Sequence, residues 1–264
     1  MRWIVLATLV GLAACAAQTP SSVRKAADEQ YIEETAVDVP EVAGAAVLVN
    51  ATRAGTVDAG IEASYRADRL PDGSIDLFIY PAGRMPEEAG LDRGTRGFLD
   101  SLAEAKQYGV FDDLQVDPTQ AFPSVREDDS ALGANKVRLR FSRNGAALES
   151  RAWIAYKQNY WFKLRMTATP SFGAELDALG DVVARDLFRL ARATSKGACS
   201  SMTITLPPSP SPQQVLDAAT DAMRKQDLLG CVPKDYPETK PGFRRAILPF
   251  PPGSWSESES DSER

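Results

Sequence analysis

The chain has 264 residues, of which 44% are hydrophobic and 25% are charged, a composition typical of soluble globular proteins. It contains no histidine, which excludes Ser-His-Asp and Cys-His nucleophilic sites, histidine-ligated zinc and histidine general bases. Its formal net charge of −6 argues against nucleic-acid binding.

The N-terminus has the pattern of an export signal. Arg2 precedes an apolar run over residues 3–12 that is too short to span a membrane, and Leu12-Ala13-Ala14-Cys15 follows. This motif resembles the lipobox of bacterial lipoproteins. The resemblance implies that residues 1–14 are a signal peptide and that Cys15 is acylated as the mature N-terminus. The alternative is an ordinary secretory signal that contains a cysteine.

The residues after Cys15 indicate where such a lipoprotein would be held. Ala16 follows the cysteine, and by analogy with Gram-negative lipoproteins it implies anchoring to the outer membrane, facing the periplasm. Two or three acyl chains anchor a protein firmly, whereas one gives reversible binding. Residues 15–35 lack a periodic apolar face and are predicted to be a flexible tether.

The first half of the predicted globular domain contains strands and then a helix. Alternating apolar residues predict strands over 46–51, 61–66 and 74–80. Helical spacing predicts a helix over 86–108, in which two early glycines weaken the pattern and Gly109 is placed to end it. Residues 112–135 are predicted to form a long loop with at most one short strand.

The clearest pattern in the chain predicts an antiparallel meander. Strands over 136–142, 148–157 and 160–167 alternate apolar and polar residues. Asn144-Gly145 and Gln158-Asn159 join them as short turns.

A second amphipathic helix follows the meander, from Ser171 as its predicted N-cap to about residue 193. We therefore predict an α+β domain over residues 36–198: an antiparallel sheet that contains the meander and packs with two helices. The element order, together with Leu77-Phe78-Ile79-Tyr80-Pro81 and residues 160–165, resembles the PsbP/Mog1-like fold of some exported bacterial proteins. Such folds share architecture more than function.

The C-terminal part has a different character. Cys199 and Cys231 are the cysteines that remain beside Cys15, and an even pair in an exported chain predicts a disulfide. Residues 199–233 would form a disulfide-closed extension with one helix over 213–229. Residues 234–264 are predicted to be a proline-rich and then acidic disordered tail.

A candidate binding surface comes from the polar positions of the meander. If the apolar positions face one core, the others share the opposite face, and together we call them the basic–aromatic set: Arg138, Arg140, Arg151, Trp153, Trp161, Lys163 and Arg165. The functional hypothesis is a surface that binds an anionic partner: an envelope protein, lipid headgroups or a cell-wall polymer. The alternative is a solvated sheet face whose long side chains cover the tryptophans.

Other motifs carry little chemistry. The acidic run at residues 126–130 lacks the spacing of a calcium loop, and no phosphate loop, nucleophile elbow or dinucleotide fingerprint occurs, so we expect no metal and no cofactor. The favoured function is a non-enzymatic envelope lipoprotein that binds or scaffolds a partner. The alternatives are a histidine-independent hydrolase with paired carboxylates, and an adaptor that works through its proline-rich segment and tail.

Overall fold

The computed structural model describes residues 31–200, 204, 206–232 and 235–251. Cys15, the signal peptide and most of the predicted tether lie outside these residues. The described helices are α1 (Glu87–Gln107), α2 (Gly173–Leu190) and α3 (Pro212–Leu229). The strands are β1 (Glu34–Pro40), β2 (Val42–Ala43), β3 (Ala46–Arg53), β4 (Ile61–Arg66), β5 (Ser74–Pro81), β6 (Asp113–Val116), β7 (Gln120–Val125), β8 (Ala131–Arg143), β9 (Ala146–Lys157), β10 (Tyr160–Ala168), β11 (Arg192–Lys196) and β12 (Phe243–Pro249).

The larger sheet is antiparallel and has the order β2-β3-β4-β5-β10-β9-β8-β6, with β7 also paired to β8. The predicted meander is confirmed as β8, β9 and β10. Both of its turns need left-handed backbone, with φ of 52° and 75° at Asn144 and Gly145, and 55° and 66° at Gln158 and Asn159. Asn tolerates this conformation and Gly favours it, which explains the prediction from the first pair.

Helices cover both faces of this sheet. Trp153 of β9 contacts α2 at Gly180, and it belongs to the main hydrophobic core. The next residue, Ile154, lies in a second core with Phe98 and Leu102 of α1. Since adjacent strand residues point to opposite faces, α1 and α2 pack on opposite sides of the sheet. The predicted α+β class is therefore confirmed.

A smaller sheet completes the fold. It has the order β11-β1-β12, with β1 paired in antiparallel register to both neighbours. The buried Thr35 hydroxyl of β1 is hydrogen-bonded to the Tyr160 hydroxyl at 2.6 Å and to the Ser195 hydroxyl at 2.9 Å, which ties the two sheets together.

This sheet corrects the predicted domain boundaries. Residues 34 and 35 belong to β1, not to a tether, and residues 243–249 form β12 instead of disordered tail. Both segments are short and were outweighed by their polar and proline-rich surroundings. Residues 252–264 lie outside the described residues.

The loop predicted over 112–135 is also corrected, because it contains β6, β7 and the start of β8. Pro123 in β7 made a strand there look improbable. Among the described strands β7 pairs with β8 alone, and an edge position tolerates a proline because one side of the strand needs no partner.

The second helix begins differently from the prediction. A short 3-10 turn occupies Pro170–Phe172, and α2 then starts at Gly173 with Phe172 at the N-cap and no side-chain capping bond, so Ser171 is not the cap. The predicted disulfide is confirmed between Cys199 and Cys231, whose Cα atoms are 5.9 Å apart. No helix among the described residues is both long enough and apolar enough to cross a membrane.

Candidate functional site

The basic–aromatic set does not share one face of the sheet. Leu164 pairs with Trp153, and Lys163 pairs with Ile154, so the apolar positions of β10 lie on the same face as the tryptophan of β9. Both faces are covered by helices, and alternation within each strand therefore could not fix the phase between neighbouring strands. The prediction of a single face is wrong. The α2 face holds Arg138, Arg140, Arg151 and Trp153, and the α1 face holds Trp161, Lys163 and Arg165.

On the α2 face, the basic groups are held in ion pairs with acids of α2. Lys136 Nζ lies 2.8 Å from an Asp177 oxygen and 2.7 Å from Asp181 Oδ1. Arg151 contacts Asp177 at 3.2 Å and Glu149 at 2.9 Å. Burial disfavours the Asp177 carboxylate, but hydrogen bonds from Lys136 and Arg151 outweigh it and hold the pKa of Asp177 below its usual value.

The remaining members on this face are also paired. Arg138 lies 3.2 Å from Asp177, and Arg140 lies 2.7 Å from Asp117. The Trp153 indole donates a hydrogen bond to Asp181 Oδ1 at 3.0 Å. The contacts with Asp177 and Asp181 anchor α2 to the sheet, and Asp117 lies just after β6, so this half of the set is structural.

On the α1 face, glycines bring the helix very close to aromatic rings. A Cβ at Gly90 would lie 2.4 Å from Tyr156, and a Cβ at Gly94 would lie 2.4 Å from the Trp161 indole nitrogen. That nitrogen donates a hydrogen bond to the Gly90 carbonyl oxygen at 2.7 Å. Gly94, one of the two glycines that weakened the helical pattern in the sequence, is thus needed for packing, and so is Gly90.

One turn further along, α1 and the sheet flank an opening. We call it the α1 cleft. It has a volume of about 450 Å³ and is lined by α1, β5, β10 and the loop before β4. A Cβ at Gly97 would meet no atom within 4 Å, so this glycine faces open space. The remaining lining residues are Asp58, Ala59, Phe78, Tyr80, Arg93, Gly94, Phe98, Ser101, Trp161 and Lys163.

Lys163 is the basic group on the cleft wall. Its Nζ lies 4.9 Å from the ring centre of Phe78, 5.4 Å from that of Tyr80 and 5.6 Å from that of Phe98. Among the residues that the structure describes, no carboxylate pairs with this ammonium. Burial, and then the charge of Arg165, lower the pKa of Lys163 to about 8.

The aromatic wall around Lys163 is also protected from water. Tyr80 packs against Trp161 with ring centres 5.5 Å apart, and burial raises the pKa of Tyr80 to about 12. Arg165 lies farther along the same face, where its Nε donates to the Ser150 hydroxyl at 3.2 Å and its guanidinium lies 5.8 Å from the Phe141 ring centre.

Of the predicted set, the cleft therefore brings together only Trp161 and Lys163. Sequence reasoning missed its other aromatic residues, which lie on β5 and α1. The signal that could have found Phe78 is its position in its own strand, between the buried Leu77 and Ile79 and therefore on the opposite face.

A second opening, of about 370 Å³, lies beside the acidic run at residues 126–130. Its basic groups are paired: Arg192 with Glu127 at 3.1 Å, and Arg189 with Asp129 at 3.3 Å. Lys157 donates to the carbonyl oxygens of Phe188 and Ala191, each at 2.5 Å, and so closes the end of α2. The described residues contain no group of three or more potential metal-ligating side chains.

Comparisons with known proteins found weak structural similarity. No family model and no curated protein matches this chain. Cyanobacterial PsbP (CyanoP) of Synechocystis sp. PCC 6803 is similar with a TM-score of 0.38 and 15% identity, over 54% of this chain and 80% of that one. The Pseudomonas aeruginosa protein of unknown function PA94 has a TM-score of 0.32 and 11% identity, over 63% and 84%.

Proposed function

We propose that this chain is a lipoprotein, anchored through acylated Cys15 to the periplasmic side of the bacterial outer membrane, and that it is a non-enzymatic binding module. Its ligand site is the α1 cleft. The observation that carries the binding role is the cleft itself: a preformed opening of about 450 Å³ with an aromatic wall and one ammonium that has no carboxylate partner among the described residues. Apolar openings with few polar groups are the usual form of small-molecule sites.

The cleft takes the place of the surface that the sequence predicted. The basic groups on the α2 face are already paired with acids, so they offer an anionic partner little net attraction. Of the predicted basic–aromatic set, the cleft brings together the Trp161 indole and the Lys163 ammonium. An envelope protein or a cell-wall polymer would reach the α1 cleft through a side group whose chemistry matches the aromatic wall and the ammonium.

The hydrolase alternative receives no support from the acids that converge. Asp177 and Asp181 share Lys136, and the pKa of Asp177 is lowered, so it stays ionised at neutral pH. A paired-carboxylate hydrolase needs one acid that keeps its proton at the working pH. The adaptor alternative cannot be tested by deleting residues 207–264, because that deletion removes β12 from the smaller sheet.

The site assignment is tested by filling the cleft. The protein for this experiment is the water-soluble form that begins at residue 15 and carries Cys15→Ser, titrated with the neutral fluorophore N-phenyl-1-naphthylamine. Gly97→Leu places a side chain in the opening, and we expect about tenfold weaker binding because the leucine occupies the apolar volume.

The matched control is Ala103→Leu, which places the same leucine side chain at an exposed position of the same helix. It should bind the fluorophore as the parent does. Equal binding by Gly97→Leu and the parent would overturn the assignment of the cleft.

The anchoring part of the proposal has a separate test. Full-length protein made in a Gram-negative host with an alkyne-tagged fatty acid should acquire the tag and sediment with membranes. Cys15→Ser should do neither, because the sulfur is the acylation site. A tag retained by Cys15→Ser, or an untagged parent with its leader still attached, would contradict lipidation at this residue.

A further inference from the structure

We propose that the α1 cleft binds amphipathic monoanions, with the apolar body of the ligand on the aromatic wall and its anionic head at Lys163 Nζ. This inference rests on the proposed function, since it assigns a ligand class to the same cleft. It is carried by the position of one ammonium among aromatic rings, in an opening that has room for a ligand.

Lys163 is an unusual group to place on such a wall. In the register of the sheet it lies between Phe78 of β5 and Ile154 of β9, so its strand neighbours on that face offer no acceptor. The ring faces attract its charge, but each such contact contributes only about 0.5–2 kcal/mol. A half-buried ammonium gains more from an anion, because a charge-assisted hydrogen bond strengthens where water is scarce.

The surroundings of Lys163 favour an anion over a cation. Arg165 follows on the same face of β10, and its charge contributes to the lowered pKa of Lys163. Arg93 lies at the cleft as well, whereas Asp58 is the acid among the lining residues. A ligand cation would therefore meet like charges on α1 and β10, and an anion meets opposite ones.

The body of the ligand is set by the rest of the wall. Phe78, Phe98 and the tilted ring pair of Tyr80 and Trp161 present apolar surface. The opening lies over Gly97, where the helix carries no side chain. Flat or extended apolar groups bury the most surface in such a slot, and this burial supplies most of the affinity.

The test uses two probes that differ by the anionic group. They are 1-anilinonaphthalene-8-sulfonate and N-phenyl-1-naphthylamine, which have the same apolar skeleton with and without a sulfonate. In the Cys15→Ser form at pH 7, Lys163→Met should weaken sulfonate binding about tenfold, because methionine keeps the length and apolar character of the stem without the charge. Binding of the neutral probe should change less than twofold.

Two further variants separate charge from shape. Lys163→Arg keeps a positive charge and should keep the preference for the sulfonate. Lys106→Met removes an exposed lysine near the end of α1 and should bind both probes as the parent does. Circular dichroism of each variant reports whether it is folded.

The pH dependence gives an independent readout. Sulfonate affinity should fall as pH rises from 7 to 10, because Lys163 loses its proton in this range, and Lys163→Arg should remove most of the fall. Tyr80 stays protonated through this range. The charged and titratable groups around Lys163 are Asp58, Glu62, Asp76, Tyr80, Arg93 and Arg165.

The outcomes distinguish this inference from the proposed function. Saturable binding of both probes, blocked by Gly97→Leu but unaffected by Lys163→Met, would overturn the monoanion class and leave the cleft as a binding site. Failure of both probes to bind the parent would overturn both. Weaker binding of the sulfonate probe by Lys163→Met, with nearly unchanged binding of the neutral probe, supports the assignment.

Discussion

At the scale of single residues, Asp177 is the acid on which the α2 face depends. It contacts Lys136, Arg138 and Arg151, and the side chains of Lys136 and Arg151 are only 7% exposed. Asp177→Asn should lower the free energy of unfolding by about 2 kcal/mol, because charge-assisted hydrogen bonds are lost while Asp181 and Glu149 still neutralise the buried cations. Urea denaturation of the parent and the variant at pH 7 measures this difference in the free energy of unfolding.

The same residue has a predictable pH signature. Its pKa is lower in the folded chain than the ordinary value of 3.8, so its stabilisation is present above pH 4 and is lost as pH falls through the folded value. The stability gap between the parent and Asp177→Asn should therefore shrink below pH 4. Asp100→Asn, on the exposed side of α1, should show no such gap. A gap that persisted unchanged to pH 3 would contradict the assigned pKa direction.

The sequence indicated the types of residue in the site better than their arrangement. Trp161 and Lys163 were singled out because they alternate with buried residues of β10, and they do line the cleft. Arg151 was grouped with them because the same alternation holds in β9. One strand's pattern contains no information about the register of the next, and a single-residue offset moves a side chain to the other face.

At the scale of the elements, the glycines of α1 have opposite roles. Gly94 lies against Trp161, whereas Gly97 faces the open cleft. Gly94→Ala should lower the free energy of unfolding by about 1–2 kcal/mol, because overpacking against the indole outweighs the gain in helix propensity. Gly97→Ala should raise it by about 0.5–1 kcal/mol through propensity alone.

Equilibrium unfolding in urea, followed by circular dichroism and by tryptophan fluorescence, compares the two variants. Their helix propensities change equally, so a difference in sign isolates the contact with Trp161. If both alanines stabilised the chain alike, the close approach of α1 to the sheet would be incorrect.

Local patterns predicted the elements that follow one another closely and missed those that are defined by distant partners. The meander has short turns and strict alternation, and it was correctly placed. β12 was missed because its partner, β1, lies about 200 residues earlier, and Asp38 pairs there with Arg245 through oxygens 2.7 Å from the guanidinium. Neither strand is long enough to show its pairing in its own sequence.

At the scale of the whole molecule, β1 joins the two ends of the described chain. It pairs with β11, which follows α2, and with β12, which lies beyond the helical extension. Ser195 of β11 accepts a hydrogen bond from the Val232 amide at 2.9 Å and donates its own to the Gly230 carbonyl oxygen at 2.7 Å. The extension therefore leaves and returns to the same edge of the smaller sheet, and the disulfide closes it there.

This closure should make the disulfide a global stabiliser. Cys199 and Cys231 are 32 residues apart in sequence and both are buried. In the chain-entropy model, a cross-link over a loop of this length contributes about 3.5 kcal/mol by restricting the unfolded chain. The Cys199→Ala/Cys231→Ala double variant of the Cys15→Ser form should lose about that much in urea unfolding at pH 7.

Reductant provides the control for this experiment. It should lower the unfolding free energy of the parent toward that of the double variant and leave the variant unchanged, because the variant has no disulfide to reduce. If the variant matched the oxidised parent, the backbone bonds of Ser195 alone would hold the extension. A steeper slope against urea in the double variant would locate the effect in the unfolded chain, because without the cross-link that chain exposes more surface.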